Sequence, residues 1–113
     1  MVELDTFLKR AKAIMTDEER AGIVMFLAAN PEAGVSLGGG LRKVRIQRGG
    51  GGKSGGYRTL YVFGGRHMPL ILVTVFAKTE KDNLTKAEAA AAVALSKSLV
   101  AAYGHSEGDV GNG

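Results

Sequence analysis

The spacing of the apolar residues changes twice along this chain, and those two changes limit the folds open to it. Leu4, Phe7, Leu8, Ala11, Ile14 and Met15 recur at intervals of three and four, with Lys9, Arg10 and Lys12 between them, which predicts an amphipathic helix. Thr16 and Glu19 then supply a capping box for a second helix from about Asp17 to Ala29. It should bury Ile23, Val24, Phe26 and Leu27 and stop before Asn30-Pro31, because the residue preceding a proline disfavours helical backbone. The pair reads as a helical hairpin. From Leu41 the period falls to two, with Val44 and Ile46 on one side and Lys43, Arg45 and Gln47 on the other. Residues 57–63 and 70–76 are apolar on both faces, as central, covered strands are. Thr85 with Glu88 repeats the capping box and opens an Ala-rich helix to about Tyr103, where Gly104 predicts its end.

The order is helix, helix, three strands in succession, helix, with no strand–helix–strand alternation. That order predicts an α+β fold: two N-terminal helices, an antiparallel twisted sheet of three to four strands, and a C-terminal helix. Residues 1–3 could add a short edge strand. At 113 residues the chain suits one domain, read as residues 1–104, with a flexible, polar tail at 105–113. Its longest apolar run, 68–77, is about half of the ~20 residues that span a bilayer, so a cytoplasmic protein without a membrane partner is expected. The absence of cysteine, with only two histidines set far apart, argues against a metal centre, and no cofactor is expected.

Charge is unevenly distributed. Between Ala33 and Thr79 stand eight basic residues, Arg42, Lys43, Arg45, Arg48, Lys53, Arg58, Arg66 and Lys78, and no Asp or Glu. The segment carries +8 against −4 for the rest of the chain, which points to a polyanion, foremost a nucleic-acid backbone. Cations on exposed strands also keep sheet edges from aggregating, but a wholly acid-free segment is unusual for that purpose alone. The run 49–56 invites comparison with a nucleotide-binding phosphate loop through Gly52-Lys53-Ser54. The comparison fails, because Gln47 stands where the first glycine belongs and a β-branched, aromatic run follows in place of a helix. Neither His67, in a turn, nor His105, near the end, has an evident catalytic partner.

Five segments together, 27–34, 39–45, 52–58, 74–78 and 82–86, resemble the RelE/HigB superfamily of bacterial type II toxins, and its HigB branch in particular. The resemblance runs from about Phe7 to Leu99 and implies a ribosome-dependent endoribonuclease that cleaves messenger RNA in the decoding site. It also implies contacts with ribosomal RNA, neutralisation by a helix-turn-helix antitoxin, and operator DNA reached only through the antitoxin complex. The chemistry implied is metal-independent attack of the RNA 2′-hydroxyl on the scissile phosphate, which needs a proton acceptor, a proton donor and cations around the developing charge. By the resemblance Arg58 clamps the scissile phosphate, Lys78 stabilises charge or transfers a proton, and Lys53 is a further catalytic candidate. Arg42, Lys43, Arg45 and Arg48 would hold RNA backbone, and Tyr57 and Phe76 would stack on bases. One position departs from the family pattern: a tyrosine is common two residues before the strand-end lysine, and Phe76 stands there. A phenyl ring stacks but exchanges no proton, which leaves Tyr57 or Lys78 for that step. The alternative reading is an RNA- or DNA-binding module with a basic sheet surface and no catalysis.

Overall fold

The computed structural model describes residues 1–47, 56–80 and 83–112, the stretch 104–112 as backbone alone. Its elements are β1 (Val2–Glu3), α1 (Asp5–Ile14), α2 (Asp17–Ala29), β2 (Val35–Gly38), β3 (Leu41–Ile46), β4 (Tyr57–Val62), β5 (Ile71–Ala77) and α3 (Lys86–Asn112). The expected α+β architecture is present, with a larger sheet. Five strands lie in the order β1-β5-β4-β3-β2. β2 through β5 are antiparallel neighbours, while β1 pairs parallel to β5 through Val2 and Glu3, so the sheet is mixed. Sequence reading passed over β2 because Val35-Ser-Leu-Gly38 is short and ends in glycine, and strand propensity alone does not register so short an edge.

Both capping boxes form. Thr16 Oγ1 accepts from the Glu19 amide while Glu19 accepts from the Thr16 amide, and Thr85 and Glu88 repeat the exchange ahead of α3. Each box satisfies two of the amides that a helix start leaves without a carbonyl. Gly104, expected to end α3, lies within it, since a helical glycine costs only about 1 kcal/mol relative to alanine and does not force a stop.

The sheet separates two apolar layers. On one side α1 and α2 bury Phe7, Ala11, Ile23 and Leu27 against Val44, Tyr57, Tyr61, Leu72 and Val75. Phe26, expected in this core, is 41% exposed, because Ile23 and Leu27 occupy the stripe of α2 that meets the sheet. On the other side α3 brings Ala92, Val93, Leu99 and Val100 onto Leu41, Leu60, Val62 and Ile71. The helix lies mainly over β2, β3 and β4.

A bulge in the β4–β5 ladder decides which residues share a face. Leu60 pairs with Thr74 and Tyr61 with Leu72, so Val73 is the extra residue of β5. Side chains alternate along a strand, and one inserted residue inverts everything after it. Val75 therefore enters the α1–α2 core and Phe76 turns to the α3 side, the reverse of what unbroken alternation from Ile71 would give.

Candidate nucleic-acid interface

Strand register brings the middle cations together on the α3 side of the sheet. Arg45 of β3 is opposite Arg58 of β4, and Arg58 is opposite Phe76 of β5, so the three form one row across the sheet. In the next row Val35, Lys43, Leu60 and Thr74 follow in order. Directly opposed residues of this kind have Cβ atoms about 5 Å apart, close enough to act on one ligand. Lys43, Arg45 and Arg58 line a groove of about 360 Å³ whose other walls are Gly34, Val35 and Asn83. Among the described residues no acidic side chain lines it. Arg45 is exposed, whereas Arg58 is only 3% exposed and sits at the floor. The alternation of Lys43 and Arg45 against Val44 and Ile46 was legible in the sequence.

Other groups build the walls. Lys43 Nζ donates to Asn83 Oδ1 at 3.0 Å, which ties the segment after β5 across the sheet to β3. Gly34 and Gly56 both approach the β3 backbone with positive φ, 74° and 64°. A Cβ added at either would stand 2.1 Å from a carbonyl oxygen, of Lys43 and Ile46 respectively. Only glycine meets both demands, and the two residues bring β2 and β4 against the strand that carries the cations.

Arg42, expected to hold RNA, has a different position. As the residue between Leu41 and Lys43 it projects on the α1–α2 side, where its Nη2 donates to Glu32 O at 2.7 Å and Gly34 O at 3.4 Å and its Nε to Ala33 O at 3.3 Å. The Tyr61 hydroxyl joins it, donating to Ala33 O at 2.6 Å, and burial raises the pKa of that phenol above its ordinary 10.0. Arg42 and Tyr61 thus hold the 32–34 segment that forms one wall of the groove. The alternation that puts Lys43 and Arg45 on one face already puts Arg42 on the other, but the carbonyls that Arg42 and Tyr61 hold there are not marked in the sequence.

Tyr57 is also on the α1–α2 side. It is 1% exposed, with its hydroxyl 3.2 Å from both Ile14 O and Glu19 Oε2. So enclosed a ring offers no face to a base, and its proton is used between the end of α1 and the start of α2. Phe76, in contrast, does share the cation row. Lys78 is exposed one residue past β5, and its amide donates to Gly56 O at 3.3 Å, which places it at the end of the sheet where β4 begins. Arg48 and Lys53 lie outside the described residues. Among the described residues no group of three His, Cys, Asp or Glu could hold a metal ion, and no helix is long and apolar enough to cross a membrane.

The family model described as the RelE toxin of the RelE / RelB toxin–antitoxin system matches residues 4–107. That span contains every element from α1 to β5, the basic groove and most of α3, so this chain belongs to the RelE toxin family and is a toxin of a toxin–antitoxin system.

Proposed function

We propose that this toxin is a ribosome-dependent endoribonuclease that cleaves translated messenger RNA across the groove between β2 and β4. The observation that carries the reading is the row Arg45–Arg58–Phe76 beside Lys43, an aromatic ring and three cations gathered on one face of the sheet. Phosphate oxygens are drawn to such a site, and an arginine holds them through two parallel hydrogen bonds where a lysine supplies a point charge. Arg58, low in the groove, is placed to hold the scissile phosphate and to stabilise the charge that builds on it as the 2′-hydroxyl attacks. Lys43 and Arg45 grip the neighbouring backbone. Phe76, itself only 5% exposed, offers no open face to a base and forms the apolar backing of Arg58 in the row.

The attacking 2′-hydroxyl loses its proton to solvent water, and proton transfer to the leaving group falls to Lys78. The Tyr57 hydroxyl points into the opposite layer and Phe76 has none, so among the described candidates the strand-end lysine is the group left to donate to the leaving 5′-oxygen. Such a toxin would act in the cytoplasm, bind ribosomal RNA through its remaining cations, and be held by a helix-turn-helix antitoxin, as in the HigB branch. A second reading has one observation behind it: the missing tyrosine at Phe76 costs a binding module nothing, so the basic groove could hold RNA without cutting it.

A reconstituted translation reaction separates the two. Mapping of messenger-RNA ends after addition of the chain should show new termini within translated codons. Arg58→Ala should lower their yield about 100- to 1000-fold, as loss of one charge-stabilising donor does. Lys78→Ala should lower it with little change in RNA affinity. RNA binding without new ends would support the binding module and overturn the enzyme.

A further inference from the structure

β1 ends at Glu3, so among the described residues no strand lies beside the outer edge of β5 from Val73 onward. Alternate residues of a strand turn their backbone groups to the same edge, and here those residues are Val73, Val75 and Ala77. Side chains take the place of a neighbouring strand. Thr6 Oγ1 donates to Val73 O, Arg10 Nε donates to Val75 O at 3.4 Å, and Glu80 Oε1 accepts from the Ala77 amide at 2.9 Å. Arg10 Nη2 donates to that same Glu80 oxygen, so α1 and the end of β5 are joined through one carboxylate.

Glu80 grips Ala77 twice. Its backbone amide donates to Ala77 O at 2.9 Å, which closes a turn over residues 77–80, while its carboxylate holds the Ala77 amide. Lys78 stands inside that turn, and its own amide donates to Gly56 O at 3.3 Å on the β4 side. The backbone around Lys78 is thereby fixed from both edges of β5, by β4 on one and by Glu80, braced by Arg10, on the other. The Ala77 amide and then the Arg10 guanidinium hold the Glu80 carboxyl below its ordinary pKa, so it is ionised at neutral pH and keeps both bonds. Both side chains are 39% exposed, and an ion pair so open to water adds little stability. Its contribution is geometric: it fixes the turn from which the Lys78 side chain departs.

We infer that Glu80 and Arg10 are positioning residues for Lys78, holding the turn that presents its ammonium to the leaving 5′-oxygen. The inference rests on the proposed cleavage reaction. In that step the 2′-oxygen bonds to phosphorus, the bond from phosphorus to the 5′-oxygen breaks with its electron pair on that oxygen, and the Lys78 ammonium gives it a proton. A lysine side chain is a long, flexible stem, so an unfixed backbone spreads its ammonium over many positions. Misplacement of a reacting group by about 1 Å costs about 100-fold in rate.

The test replaces the leaving oxygen by sulfur. Cleavage on programmed ribosomes with toxin in excess is measured for two synthetic messages, one with the natural 5′-oxygen at the mapped cleavage site and one with a bridging sulfur, which departs as a thiolate and needs no proton donor. On the oxygen message Glu80→Ala and Arg10→Ala should lower the maximal rate about 10- to 100-fold and leave the half-saturating toxin concentration unchanged. On the sulfur message both variants, and Lys78→Ala with them, should cleave at nearly the rate of the unsubstituted chain. Glu80→Gln, whose amide oxygen still accepts from Ala77, should keep most of the rate on the oxygen message. An equal loss on both messages overturns the inference, since it marks damage to the site as a whole, and so does the absence of any loss on the oxygen message. If sulfur does not rescue Lys78→Ala, the proton-donor reading fails and the positioning role falls with it. If sulfur rescues Lys78→Ala and not Glu80→Ala, the positioning role alone falls. Hydrogen exchange follows the same turn without RNA: protection of the Ala77 amide should fall in Arg10→Ala, and unchanged protection there overturns the bracing by Arg10.

Discussion

Substituting Tyr57 by phenylalanine decides whether the phenol beside Arg58 in sequence serves structure or chemistry. Its ring is enclosed between β4 and the α1–α2 layer, and its hydroxyl lies 3.2 Å from Ile14 O and 3.2 Å from Glu19 Oε2. Removing the oxygen keeps the ring and its apolar contacts, leaves the last carbonyls of α1 one donor short, and takes a partner from a carboxylate that also caps α2. A neutral hydrogen bond contributes about 1 kcal/mol and one to a charged group about 2, so a loss of about 1 to 2 kcal/mol is expected. With an unfolding entropy of about 2.1 cal/mol/K per residue over 113 residues, that is a fall in Tm of about 4 to 8 °C. Calorimetry or a circular dichroism melt measures it, and messenger-RNA cleavage by the same preparation, well below Tm, should match that of the unsubstituted chain. A Tm unchanged to within a degree together with a tenfold or greater loss of cleavage would mean that the hydroxyl reaches substrate. The assignment of Tyr57 to the α1–α2 face would then be wrong.

Arg42→Ala should destabilise the chain by about 2 kcal/mol in a urea titration, through the Glu32 and Gly34 carbonyls that lose the arginine's bonds and the Ala33 carbonyl that keeps only Tyr61, and should leave the salt dependence of RNA binding unchanged. Arg45→Ala should do the opposite: stability holds, and the slope of log affinity against log salt falls by about 0.7, the value for one phosphate contact with a single strand. Glu80 has a folded pKa below its ordinary 4.5, so the stability it contributes is present above that value and is lost as pH falls through the folded pKa. Glu80→Gln should flatten that acid limb of the stability curve, measured by melts at successive pH, and leave stability near neutral pH free of the same slope.

How much of this was legible beforehand follows from the range of the forces involved. Capping boxes act within four residues, so Thr16 with Glu19 and Thr85 with Glu88 announced two helix starts that the structure reproduces. Apolar spacing is likewise local, and it separated the helical thirds from the strand-rich middle. The cation face of β3 could be read from alternation alone, because that strand has no irregularity between Leu41 and Ile46. Tyr57 and Arg42 were misplaced for a different reason. A tyrosine beside an arginine reads as part of a basic surface until the pleat assigns adjacent residues to opposite layers.

By itself the sequence determined the class of the fold, the sign of the charge in its middle, and the strand that displays it, since each depends on neighbours a few residues apart. Tertiary structure alone decided the working face. The bulge at Val73 turns Phe76 toward Arg58 and Val75 away, and no property of the residues 71–77 marks which of them is extra. Pairing of Lys43 with Asn83, the tie from Arg42 to the 32–34 carbonyls, and the bond from Arg10 to Val75 O join residues distant along the chain. Contacts of that kind arise from packing, because the free energy of burying two apolar layers sets where α1, α2 and α3 lie, and the polar groups bond with whatever that arrangement brings near.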